Sequence, residues 1–119
     1  MLGGGADFVR CAGPREATDK GERCVISARV PRELAYFEGH FPGQPIVPGV
    51  AELIGLVLEP AREVWPDLPA PEGIRRLKFL AAIGPGDELE IELAREPSRL
   101  RFEIRRGTTA CAQGSFVWG

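Results

Sequence analysis

Histidine is almost missing from this 119-residue chain, which carries a single one, His40. With one imidazole and carboxylates scattered at no ligand spacing, no metal site is expected. Cysteine is scarce too: Cys11, Cys24 and Cys111 are odd in number, widely separated and form no C-x-x-C pair. That pattern excludes a disulfide framework or zinc ribbon and fits reduced thiols in a cytoplasmic protein. No apolar run approaches the roughly 18 residues of a membrane span. The start, MLGGGADFVR, lacks the basic-then-apolar order of a signal peptide. Net charge is only -2, and the cations form no dense run, which argues against nucleic acid as a partner. No glycine-rich phosphate loop of Rossmann or P-loop form is present, so any chemistry is expected to be cofactor-free.

What remains is an ordinary globular composition, 44% hydrophobic and 27% charged, with length for one domain. Residues 1–22 carry weak signal, with a short strand near Phe8 interrupted by Gly13-Pro14; residues 23–119 form the expected domain. Cys24 to Val30 reads as a strand, followed by an irregular stretch from Pro31 to Pro48 that is dense in glycine and proline. A helix is expected from about Pro48 or Gly49. Val50, Leu53, Ile54, Val57, Ala61 and Val64 fall on one face of it, with Glu52, Glu59, Arg62 and Glu63 opposite. Pro60 should bend that helix or start a new turn, and Pro66 ends it.

Beyond the helix, Ile74 to Leu80 is a strand candidate. Leu89, Ile91 and Leu93 then alternate with glutamates, and Leu100, Phe102 and Ile104 with charged residues, as antiparallel strands with one buried face require. A last strand runs from about Ala110 to Trp118. One apolar-faced helix against a curved antiparallel sheet is an α+β arrangement.

The most informative stretch is YFEGHFPGQPIVPGV, Tyr36 to Val50. His40 suits proton transfer near neutral pH. Free backbone N–H groups at the helix start, Gly49 above all, suit a developing negative charge on a carbonyl. Gly39, Pro42, Pro45 and Pro48 also read simply as scaffold that shapes the loop.

Gly39, His40, Phe41, Pro42, Pro45, Pro48, Gly49 and Val50 match the G-H-F-P-x-x-P-x-x-P-G-V signature of the hotdog-fold (3R)-hydroxyacyl-acyl-carrier-protein dehydratases. The chain thus resembles FabA/FabZ-like proteins. Its wording P-G-V-A-x-L is most similar to the ApeI-like thioester dehydratases of aryl-polyene pathways. The resemblance runs from about Val25 to Phe116 and implies a single hotdog domain, a curved sheet wrapped around one long central helix. It also implies elimination of water from 3-hydroxyacyl thioesters of acyl carrier protein or coenzyme A, with His40 as base and the Gly49 amide polarising the thioester carbonyl. Phe37, Phe41, Pro48, Val50, Ile54 and Phe79 become candidate substrate contacts, with Ile46 and Val47 as further lining. Arg75, Arg76 and Lys78 become candidates for docking an acidic carrier protein.

One position departs from the pattern. The family carries a glutamate or aspartate five residues after the glycine of P-G-V, and here that residue is Ile54, which cannot move a proton. Glu52 is a tentative substitute. An ideal helix sets it about 200° from Ile54, on the polar stripe, unless a shifted register or a bend near Gly55 turns it. Glu38 and Tyr36 are further candidate acids. The alternatives are a non-catalytic thioester-binding subunit, a silent half of a hotdog heterodimer whose partner supplies the acid, or a thioesterase. A homodimer or heterodimer is expected, because hotdog sites form between subunits.

Overall fold

In the computed structural model, residues 8–31, 47 and 49–119 are described. Three strands precede the helix: β1 (Val9–Ala12), β2 (Glu16–Ala17) and β3 (Glu22–Arg29). Four follow it: β4 (Gly73–Phe79), β5 (Glu88–Glu96), β6 (Arg99–Arg106) and β7 (Thr109–Val117). They form one sheet in the order β1-β3-β5-β6-β7-β4, with β2 pairing β3 off that path. Every pairing is antiparallel.

The alternation seen in the sequence becomes the two faces of this sheet. Ile26 lies opposite Ile91, Ile91 opposite Ile104, Leu93 opposite Phe102, and Leu100 opposite Phe116, and all of these are buried. The other face is charged. There Glu92 sits directly across from Glu103, a like-charge pair that should repel. Arg105 relieves it by donating to Glu103 at 2.6 Å and Glu92 at 3.4 Å, and Arg23 donates to Glu92 at 2.7 Å. Such exposed pairs are worth little each, typically ~0.2–1 kcal/mol. The structure's stability therefore rests on the inner face.

β4 forms one margin of the sheet and is irregular. Its pairing with β7 slips between Arg75 and Lys78, so that two residues, Arg76 and Leu77, face Gly114. Arg76 takes a left-handed backbone (φ 55°), which is unfavourable for a residue with a Cβ. A Cβ at Gly114 would lie 3.2 Å from the Leu77 Cα, so a glycine there makes room for the bulge.

The helix runs over residues 49–64 in three parts. A short α-helical turn α1 (Gly49–Ala51) leads into a π-helical segment (Glu52–Leu58), and α2 (Glu59–Val64) completes it. Within the π segment bonds close over five residues rather than four, and the Glu59 amide donates to the Ile54 carbonyl. The next bond in that register would run from residue 60 to the Gly55 carbonyl, but Pro60 has no N–H. Arg10 of β1 supplies the donor instead, its Nη1 reaching the Gly55 carbonyl at 3.4 Å while Nη2 pairs with Glu63 at 2.9 Å. Pro60 occupies the first turn of α2, the position where a missing N–H costs least. The sequence expectation of a bend or new turn at Pro60 thus takes the specific form of a change in helical register.

Buried Trp65 closes the helix, its indole N–H donating to Glu22 Oε1 at 2.7 Å. Arg15 and then the Trp65 indole hold the Glu22 carboxylate below its usual range. The helix end is thereby tied to the start of β3.

Candidate active site at the helix start

Tyr36, Phe37, Glu38, His40, Phe41, Ile46 and Pro48 lie outside the described residues. The site is built here from the helix start and the strands beneath it. Buried Val47 donates its amide to the Ile83 carbonyl at 2.7 Å, which fixes where the chain enters the helix. Gly49 then lies directly against Phe79 of β4: a Cβ on Gly49 would fall 2.8 Å from the ring Cζ. Two candidates separated by thirty positions are brought together, and a side chain at 49 would have to displace the Phe79 ring.

The next turn departs from the sequence expectation. Val57 and Ala61 are fully buried, and Leu53 and Val64 are partly buried against the core. Val50 and Ile54, assigned to the same apolar face, are instead 64% and 41% exposed. Glu52, expected on the solvated stripe, is only 4% exposed. The wheel fails because it assumes four-residue turns, and the π segment begins at Glu52 itself. Widening the turn rotates the residues before it relative to those after it. The first turns then present Ala51, Glu52, Gly55 and Leu56 to the interior. The signal that announced this was present in Gly55 and Pro60, which weaken and interrupt the regular ladder.

Glu52 has an unusual environment. Its Oε1 is buried without a hydrogen-bond partner, and burial alone pushes its carboxyl from an ordinary 4.5 up to about 8. At neutral pH the group is therefore mostly protonated. On β7 the thiol of buried Cys111 is raised by burial, opposed by Arg106, and raised further by Glu52. The Leu80 and Ala81 amides both donate to the Cys111 carbonyl, so Cys111 adjoins the end of β4 that carries Phe79. Gly49, Glu52, Phe79 and Cys111 thus gather around the start of the helix.

Besides Phe79 in this cluster, Val50 and Ile54 on the helix and Ile74, Leu77 and Leu80 on and just after β4 are exposed large hydrophobics. Arg75, Arg76 and Lys78 are exposed on the same strand. Arg75 lies opposite Ser115 and Lys78 opposite Gln113. Arg76 joins Arg99, Arg101, Glu92 and Glu103 around an open groove of about 520 Å³ on the charged face of the sheet. Among the described residues, no three histidine, cysteine or acidic side chains gather as a metal site, and no helix is long and apolar enough to cross a membrane.

Residues 16–115 match the ApeI-like family, described as ApeI dehydratase. The chain belongs to this family of hotdog dehydratases. It is similar to 3-hydroxyacyl-[acyl-carrier-protein] dehydratase FabZ of Pelotomaculum thermopropionicum, with 34% identity over 87% of this chain and 73% of the relative. FabZ of Syntrophotalea carbinolica is also 34% identical, over 86% of this chain and 74% of the relative. Among solved structures, the dehydratase heterocomplex ApeI:P of Xenorhabdus doucetiae superposes with a TM-score of 0.75 at 25% identity, covering 92% of this chain and 96% of the other. An uncharacterized protein of Erwinia carotovora gives 0.73 at 28% identity, covering 92% and 94%. Among the described residues, the seven-stranded antiparallel sheet with one continuous helix is thus the hotdog arrangement, as the G-H-F-P loop implied.

Proposed function

We propose that this ApeI-like protein is a dehydratase, a lyase that removes water from 3-hydroxyacyl thioesters of an acyl carrier protein in fatty-acid-like or aryl-polyene biosynthesis. The observation that carries this reading is the family match across residues 16–115, which includes the G-H-F-P-x-x-P-x-x-P-G-V loop leading into Gly49. In this reading His40 takes the α-proton, and the Gly49 amide stabilises the charge that builds on the thioester oxygen. Phe79, held against Gly49, borders the acyl chain, together with Phe37, Phe41, Pro48 and the exposed apolar side chains of Val50 and Ile54. Arg75, Arg76 and Lys78 offer an acidic carrier protein a cationic approach along β4, and a coenzyme A thioester is the other carrier to test. The cytoplasm is the proposed setting, in keeping with three free thiols, two of them buried.

A second hotdog subunit completes the site. The support is the exposure of Val50 and Ile54 on the helix and of the apolar residues of β4, with Gly49 against Phe79 between them, at a sheet margin of the kind that invites pairing. The ApeI:P neighbour is itself a heterocomplex. A second reading, a thioester-binding subunit without turnover of its own, is favoured by one observation: Ile54 stands where the family has its acid.

The deciding experiment offers the purified chain 3-hydroxyacyl carrier-protein substrates of several chain lengths and follows the enoyl product by mass spectrometry. Turnover abolished by His40→Ala supports the dehydratase reading. Substrate binding without turnover supports the second one.

A further inference from the structure

We propose that Glu52 is the proton donor of this site, turned inward by the π-helical register to serve where Ile54 cannot. The inference rests on the dehydratase reading and deepens it. Three observations converge on it. The side chain is 96% removed from solvent by the chain's own fold, its Oε1 meets no donor among the described residues, and it lies one turn from Gly49, where the Phe79 ring takes the space of a side chain. A buried carboxyl normally finds a partner. Glu96, the other buried carboxylate among the described residues, has two arginines. An oxygen left open in this way costs ~1–3 kcal/mol unless a ligand group occupies it.

The device that places it joins a local break to a tertiary contact. Pro60 cannot supply an N–H to the Gly55 carbonyl, Arg10 substitutes for it at 3.4 Å, and the five-residue turns from Glu52 to Leu58 bring position 52 inward while Ile54 remains at the surface. A π-helical segment of this kind is common at functional sites.

The surroundings suit a donor rather than a base. On β7 the Cys111 thiol, itself raised and so neutral, feels the Glu52 carboxyl, with Arg106 and Asp87 also acting on that thiol. No charged group among the described residues offsets the burial of Glu52, so its carboxyl is raised to about 8 and carries a proton at neutral pH. In the elimination, His40 takes the α-proton and the Cα–Cβ double bond forms as the Cβ–O bond breaks. The Glu52 proton passes to the departing hydroxyl, which leaves as water. Loss of a proton from His40 and uptake of one by the Glu52 carboxylate then restore both groups through water, with no oxidant or other reactant required.

The test compares wild type, Glu52→Gln and Glu52→Leu in the carrier-protein dehydratase assay across pH, with melting temperatures recorded for each. The expected result is a loss of kcat of about 100-fold or more in both variants, with melting at or above the wild-type temperature at pH 8. The wild-type rate should also fall above a pH of about 8, and the residual rate of Glu52→Gln should lack that alkaline limb. Wild-type turnover matched by Glu52→Gln overturns the donor role and leaves the dehydratase reading intact. No turnover by wild type overturns both.

Discussion

Glu96 and Glu52 are both buried carboxylates, one at the end of β5 and one at the start of the helix, and the structure treats them in opposite ways. Glu96 is 8% exposed and accepts from Arg99 Nε at 2.8 Å and Arg101 Nε at 3.0 Å. Arg99 first, with Arg101 assisting, holds its carboxyl below the usual range. Glu52 meets no cation among the described residues and rises. The first arrangement is what a sheet does with a charge it keeps for architecture. The second retains an acid in its neutral form, at a cost in stability, beside the helix start that the family motif leads into. Unpaired burial is therefore the better guide to chemistry here than burial alone.

The sharpest way to break this comparison is pH. The Glu52 carboxyl lies above its unfolded value, so between about 4.5 and about 8 the folded protein holds a proton that the unfolded chain has released. Stability from this group is full below that window and falls as pH rises through it. Glu96 has the reverse sign: its contribution is present above the ordinary carboxylate range and is lost as pH falls through its lowered value. Glu52→Leu should raise stability at pH 8 by about 2 kcal/mol and flatten the alkaline decline seen in urea melts. A Glu52→Leu protein less stable than wild type at pH 8 would mean that the carboxyl has a partner.

A smaller effect is expected from Arg10→Ala, which deprives the Gly55 carbonyl of its donor and Glu63 of its pair. About 1–1.5 kcal/mol should be lost, with faster hydrogen exchange confined to residues near the π segment. Pro60→Ala should change stability less, because the restored N–H offsets the repacking. It should shift the helix towards four-residue turns and weaken the alkaline decline as Glu52 swings outward. An unchanged pH profile would show that the register does not depend on Pro60. The least effect should follow Arg101→Ala, about 0.5 kcal/mol, since Arg99 still holds Glu96.

These differences explain what could be read from the residues alone. The strands were legible because Leu89, Ile91 and Leu93, and then Leu100, Phe102 and Ile104, declare a period of two that only one register satisfies. The helix limits were legible from Gly49 and Pro66. Its orientation was not, because projecting Val50, Ile54 and Glu52 onto a wheel presumes the hydrogen-bond spacing, and that spacing is set by Pro60 together with an arginine fifty positions earlier. A tertiary donor decides a local geometry, and no window around the helix contains it. Gly49 was singled out for its backbone amide, whereas its closeness to Phe79 depends on how far β4 reaches along the sheet. His40 and the loop that carries it were read entirely from motif.

The bulge in β4 has a consequence for assembly. A straight strand arriving at this margin can follow it on one side of Arg76 or the other, but cannot run across the kink without slipping by one residue and reversing which side chains face inward. Repeated end-on stacking of copies is thereby discouraged, although Ile74, Phe79 and Leu80 lie open there. The kink at Arg76 thus limits how a further strand can extend the sheet beyond β4.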